Sequence, residues 1–271
     1  MPATGGASLR TSTPDALWSA PSLRVLRPSA VTCTDLRRGR ALDRCSLSVP
    51  VGARLLVVSE PDMTASTLLR VLAGLSRADR GEVRIAGSTD PTATGWGRRM
   101  AYLGPESGLH SWMTPLEALH LAAGLLGLSH DERARRIDRA LRWTGIAPAM
   151  AERAVSRGGP ELEQRTGLAS VLIAEPEVLL LDEPLRAIEA TERARLLRIP
   201  GRRLTILLAS RDPASELGLF AHVAYLRNGR VELIAPVGGL DQAGLPLSHA
   251  GIAELVALKA AARRLHRAVP E

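Results

Sequence analysis

Two short stretches hold the residues best suited to chemistry. In LLVVSEPDMTASTLLRVLAGL, Leu55 to Leu75, an apolar run enters a polar turn and the turn enters a helix. That is the layout of a loop that grips phosphate, and Ser66 and Thr67 stand where the helix begins. In EPEVLLLDEP a second apolar run delivers two carboxylates, Asp182 and Glu183, to its end. A phosphate loop works because backbone N–H groups converge on anionic oxygens; glycines allow the approach and a lysine adds charge. The turn from Ser59 to Ala65 contains no glycine and no lysine, and the only lysine in the chain is Lys259.

The elements that must position these residues alternate. Short β-rich runs (LRVLRPSAV, ALDRCSLSV, ARLLVVSE, GEVRIAGS, RRMAYLG, EVLLLDE, LTILLAS, HVAYLRNGRVELI) are separated by helical patterns. The Asn228-Gly229 pair in the last run is a strong hairpin signal. Strands alternating with helices predict an α/β fold with a mainly parallel sheet covered on both faces. Ligands of such sheets bind beyond the strand C-termini, so the ends to inspect follow Ser59, Asp182 and Ser210. Residues 114–154 read as helices, with Thr114 and Ser129 as N-caps and Pro115 in a first turn. Further helices are expected near 161–175, 187–198 and 213–220, and a final one over HAGIAELVALKAAARRLHRA. Ile252, Leu255, Leu258 and Ala262 give that last helix an apolar face, to dock on the body, a partner or a membrane surface.

Composition narrows the class. The chain has 271 residues, 45% hydrophobic but only 3% aromatic, so its core must be Leu, Val, Ala and Ile. No apolar run approaches the ~20 residues needed to span a bilayer. The start, MPATGGASLRTSTPD, lacks the basic end and apolar stretch of a secretion signal, and residues 1–22 are expected to be a disordered tail. Cys33 and Cys45 sit in no metal spacing and read as reduced thiols. The net charge of +7 comes almost wholly from arginine. These arginines are scattered with little aromatic interleaving, so a solvated surface is expected rather than nucleic acid as a partner.

The order and spacing of RALDRCSLSVPVGARLLVV, STLLRVLAGLSRADRGEVRIAG, QRTGLASVLIAEPEVLLLDEP and VAYLRNGRVELIAPV resemble the nucleotide-binding subunit of ABC transporters, over about residues 24–237. The resemblance implies a P-loop NTPase-like, mainly parallel sheet with an N-terminal antiparallel β portion and an inserted helical lobe at about 106–160. The cassette would cover 23–240, followed by a linker and C-terminal amphipathic helix over 241–271. It places Asp182 and Ser66 at the magnesium positions, Ser66 and Thr67 in the phosphate loop, and Glu183 at the general base.

Against that pattern the contact positions have changed. The loop glycines fall on Ser59, Asp62 and Thr64, and the lysine on Ala65. Asp62 puts a carboxylate where polyphosphate would lie, and like charges at ~4 Å repel by several kcal/mol. Neither Arg54, before the strand, nor Arg70, a turn into the helix, stands at the lysine position. The adenine-stacking aromatic corresponds to Leu36, the glutamine to Pro105 or Glu106, and the signature to Gly158–Leu162 or, with an insertion, to 156–159. The D-loop reads Arg186, Ala187, Ile188, Glu189, and the switch histidine is Arg211. The apolar strand and helix positions, by contrast, fit the family. Random drift would damage the core too, since core substitutions cost ~2–5 kcal/mol each.

The expectation is therefore a degenerate cassette subunit, structural or regulatory, with ATP hydrolysis lost and no cofactor. Asp182 and Ser66 would then bond each other to hold the turn, with Thr67 capping. Two alternatives stay open: a residual Mg-ATP site in a heteromeric complex, and a non-transport, nucleic-acid-associated interaction module, which the basic charge motivates. The resemblance implies a membrane permease or a second, intact cassette as partner, and a cytoplasmic location at the inner face of the cell membrane. GLHSWMTPLEALHLAAGLLGL is where the family docks its membrane subunit, with Trp112 and Met113 either contacts or core.

Overall fold

A computed structural model describes residues 28–60, 64–89, 99–246 and 248–268. The chain builds two sheets. β1 (Ser29–Arg38), β2 (Leu42–Pro50) and β4 (Arg80–Ile85) pair antiparallel in the order β2-β1-β4. β3 (Arg54–Ser59), β5 (Met100–Leu103), β6 (Val178–Asp182), β7 (Thr205–Ala209), β8 (His222–Arg227) and β9 (Arg230–Pro236) form the second sheet, in the order β5-β6-β7-β3-β8-β9. Its first five strands run parallel, and β9 turns back on β8.

Every residue of β6 (VLLLD) and β7 (TILLA) is buried. Central parallel strands are covered on both faces, so their sequences are continuous apolar runs rather than alternations. Leu179 and Leu181 of β6 join one core with Leu56, Ile206 and Leu208. Val178 and Leu180 join a second core with Leu55, Leu207 and the antiparallel sheet. Helix α1 (Thr64–Leu72) fills the space between the two sheets with Leu68, Leu69 and Leu72.

Between β5 and β6 the chain makes a helical lobe of α2 (Pro115–Leu125), α3 (His130–Thr144), α4 (Pro148–Ala151) and α5 (Val155–Leu172). Its separate core includes Leu119, Ile137, Leu162, Ala169 and Ile173, so α5 serves the lobe beyond residue 160. The caps follow from sequence. Thr114 and Glu117 exchange bonds in a capping box, Ser129 caps α3, and Gly145 ends α3 at φ 69°. The remaining helices are α6 (Ala190–Leu197), α7 (Gly238–Gln242) and α8 (His249–Ala268).

Several expected boundaries move. The first strand runs Ser29–Arg38 rather than over LRVLRPSAV, because its buried positions, from Ala30 to Leu36, lie after Pro28; residues 23–27, like the tail expected at 1–22, fall outside the described residues. The 161–175 helix begins at Val155, and the 187–198 helix is shorter because Glu189 caps it. The 213–220 helix is two 3-10 turns, Pro213–Ser215 and Leu217–Leu219. On α8, Ile252, Leu255 and Val256 are buried against the body, while Leu258 is exposed; the Ala262 side chain lies outside the described residues.

The lobe is clamped to the α/β body by charge. Glu192 on α6 receives Arg195 at 2.7 Å and Arg165 from α5 at 2.8 Å, and the same two arginines bind the Trp143 and Thr144 carbonyls at the end of α3. Arg195, and with it Arg165, draws the Glu192 carboxyl down to about 2 from an ordinary 4.5. A depressed carboxylate stabilises fully above its unfolded pKa, and that contribution is lost as pH falls through the folded value. Glu192→Gln is therefore expected to lower Tm at pH 6, with the deficit shrinking between pH 4.5 and 2; thermal melts across that range check it. In the β8–β9 turn Asn228 (φ 49°) and Gly229 (φ 73°) are both left-handed, and a Cβ at Gly229 would meet the Asp43 amide at 2.6 Å. Gly229→Ala should cost about 1 kcal/mol or more, read by urea denaturation.

Candidate nucleotide cleft

The C-terminal ends of β3 and β6 converge on the start of α1. There the structure opens a cleft of about 730 Å³ lined by Ser66, Thr67, Asp182, Glu183 and Arg211. Parallel strands deliver their end residues to one edge, so positions far apart in sequence meet.

Asp182, buried at the end of β6, spends both carboxylate oxygens within the protein. Ser66 Oγ donates to Oδ1 at 2.7 Å, and Tyr102 Oη on β5 donates to Oδ2 at 2.9 Å. Burial, and the carboxylate beside it, push the Tyr102 hydroxyl up, so it stays protonated and a donor. Tyr102 was not singled out in the sequence. Its signal was a polar-tipped aromatic in a short strand, in a chain with two tyrosines.

The phosphate-loop positions are also used internally. Ala65, at the lysine position, is buried among the apolar residues beneath α1. Its amide donates to Ser59 Oγ at 3.3 Å, so the side chain at the first glycine position takes an N–H that a phosphate loop would present outward. The Ser59 carbonyl in turn meets His249 Nε2 of α8 at 3.2 Å. Asp62 lies outside the described residues. Thr67 is not a cap: α1 begins at Thr64, which places Thr67 inside the helix. Arg54 points to the far end of the sheet, where its guanidinium donates to the Leu197 and Ile199 carbonyls.

Glu183 follows Asp182 with a left-handed backbone (φ 50°), and its N–H donates a hydrogen bond to the Ala209 carbonyl at 3.0 Å. Burial raises its carboxyl, opposed by Arg211 and Arg186. Arg211, at the switch-histidine position, sits 3.6 Å from Glu183. It offers a fixed cation where an imidazole would exchange a proton near neutral pH. Leu36, at the stacking position, is fully buried in β1, and the described residues lining the cleft include no aromatic. Five arginines line it: Arg38, Arg40, Arg70, Arg186 and Arg211.

The remaining family positions have structural roles. Gly158 and Gly159 lie where α5 breaks, Gly159 at φ 71°. A Cβ on Gly158 would collide with Leu162, and Pro160 opens the next turn. Ile188 is buried, Glu189 caps α6, and the Ala187 amide binds Gln164 at 2.8 Å. Met113 is core, while Trp112 is 67% exposed and stacks on His110 at 5.5 Å.

A parallel sheet meeting a helix start in a phosphate-loop layout, with an antiparallel sheet and a helical lobe, is the architecture of a nucleotide-binding cassette. The chain belongs to the ABC transporter family, whose sequence profile matches residues 42–186. The taurine import ATP-binding protein TauB of Pseudomonas aeruginosa is 34% identical over 174 residues, 63% of this chain and 65% of the relative's length. An aliphatic sulfonates import ATP-binding protein, SsuB 2 of the same species, is 34% identical over 230 residues, 83% of this chain and 78% of its own. Among solved structures, an ATP-binding subunit of an ABC transporter superposes with a TM-score of 0.72 at 22% identity, covering 85% of this chain and 99% of that one. A dimeric cassette bound to ADP and phosphate superposes at 0.67, at 18% identity, covering 76% and 98%.

Removing the Tyr102 hydroxyl tests the Asp182 network. Tyr102→Phe leaves one oxygen of a buried carboxylate without its donor and is expected to cost about 1.5–3 kcal/mol in chemical denaturation. A loss under half a kcal/mol would mean that water replaces the bond.

Proposed function

We propose that this chain is a cassette subunit of an ABC transporter that has given up ATP hydrolysis and acts as a structural or regulatory member of the assembly. The observation that carries the reading is Asp182, the metal-side carboxylate, with both oxygens committed to Ser66 and Tyr102. The same direction is supported by Ala65 in place of the lysine and by its amide turned onto Ser59. Mg²⁺ demands near-ideal octahedral oxygen geometry and is usually bound through one or two carboxylates together with substrate phosphates. Ser66 and Asp182 would be its ligands, and the ion would neutralise charge on a nucleotide's phosphates. The donor set is small, and no lysine lies beside it. Without a phosphate clamp, Glu183 has no positioned γ-phosphate to direct water against.

The partner is a membrane permease, a second cassette, or both. Among the described residues no helix is long and apolar enough to cross a membrane. A docking face at the lobe is supported by exposed Trp112, Leu121 and Leu125, the last two one turn apart on α2. The subunit would thus sit at the inner face of the membrane, held through its partner.

The five arginines of the cleft favour a second reading, in which the cleft holds Mg-ATP without turning it over inside a heteromeric complex. Calorimetry with Mg-ATP separates the two readings, with Asp182→Asn as the control. No heat up to millimolar nucleotide is expected. Binding abolished by the control would replace the first reading with the second.

A further inference from the structure

A second groove exceeds the nucleotide cleft in volume. A space of about 1170 Å³ opens at the opposite end of the parallel strands, between the lobe and the starts of β5, β6 and β7. Its apolar wall includes Val51, Leu172 and Leu204, and Trp143 closes one side with its indole N–H on the Leu196 carbonyl at 3.3 Å. Seven arginines and two glutamates, Glu175 and Glu177, complete the lining. Arg139 and Arg99 hold those glutamates at 2.5 and 2.8 Å. On the loop before β7, Arg202 and Arg203 are exposed and have no ion-pair partner among the described residues. Nothing in the nucleotide reading uses this end of the sheet.

We propose that this groove docks an acidic, amphipathic segment of a partner protein, its carboxylates on Arg202 and Arg203 and its apolar side chains against the Leu172–Leu204 wall. Guanidinium groups bind carboxylates as paired forks, which gives both strength and orientation. The volume exceeds the roughly 300–1,000 Å³ of ordinary small-molecule pockets and suits a length of peptide. A continuous phosphate backbone fits less well. Glu175 and Glu177 would face it, and Trp143 is the one aromatic among the described lining residues, too few to stack successive bases. The chain's own residues 1–27, which lead in at Pro28, contain three arginines and a single acid, Asp15, the wrong sign for this rim.

The test uses the full chain and fluorescence anisotropy. The probe is a fluorescein-labelled peptide of glutamate and leucine at helical spacing. Saturable binding is expected, weakened about tenfold or more by the double variant R202E/R203E. Arg84→Glu, an exposed arginine on β4, should leave it unchanged. Both groove arginines are exposed and unpaired, so the variant keeps its Tm, which a melt confirms. Absence of binding, or equal loss with Arg84→Glu, overturns the proposal. So does tighter, steeply salt-dependent binding of a single-stranded oligonucleotide, which would assign the groove to a phosphate backbone. Binding that appears only after removal of residues 1–27 overturns it as well, because the groove would then belong to the chain's own segment.

Discussion

Strand β6 lies between two partners and two cores, and the rest of the molecule is arranged around that burial. Five consecutive residues have no face to solvent, so each side chain must pack and each backbone group must pair with β5 or β7. The one polar side chain in it, Asp182, must find donors at once, because an unpaired buried carboxylate costs several kcal/mol. Ser66 and Tyr102 supply them. Their bonds tie α1 and β5 to the strand end. The same two bonds that satisfy burial take one lone pair on each oxygen, so any further ligand would share the carboxylate with Ser66 and Tyr102.

Much of the architecture was legible because it rests on patterns with a period. Continuous apolar runs marked β6 and β7, the Asn228-Gly229 pair marked the β8–β9 hairpin, and Thr114 and Ser129 marked helix starts. Boundaries were less legible where side chains decide them: Glu189 shortens α6 by capping it, and α5 starts early and breaks at Gly159. Segment 213–220 failed as a helix because its eight residues close in two tight turns around Glu216, a buried carboxylate bonded to Ser210.

The cleft was legible residue by residue but not as a charge field. Ser66, Asp182, Glu183 and Arg211 could be named from their motifs. Arg38 and Arg40 could not, since no spacing links the end of β1 and its turn to the ends of β3 and β6 before the fold brings them together. Tyr102 escaped for the same reason: its partner is about eighty positions away in sequence, on a neighbouring parallel strand.

The connection from β6 to α6 holds two bulky residues, Glu183 and Leu185, in left-handed backbone at φ 50° and 60°. Each such residue costs roughly 1–2 kcal/mol for an L-amino acid. The bend is therefore a spring kept wound by its anchors: the Glu183 amide on Ala209 and the fully buried Leu185 side chain. Loosening either anchor would let the bend uncoil and swing Glu183 away from Arg211. The acid's position is thus tied to a strained backbone as well as to the opposite charge.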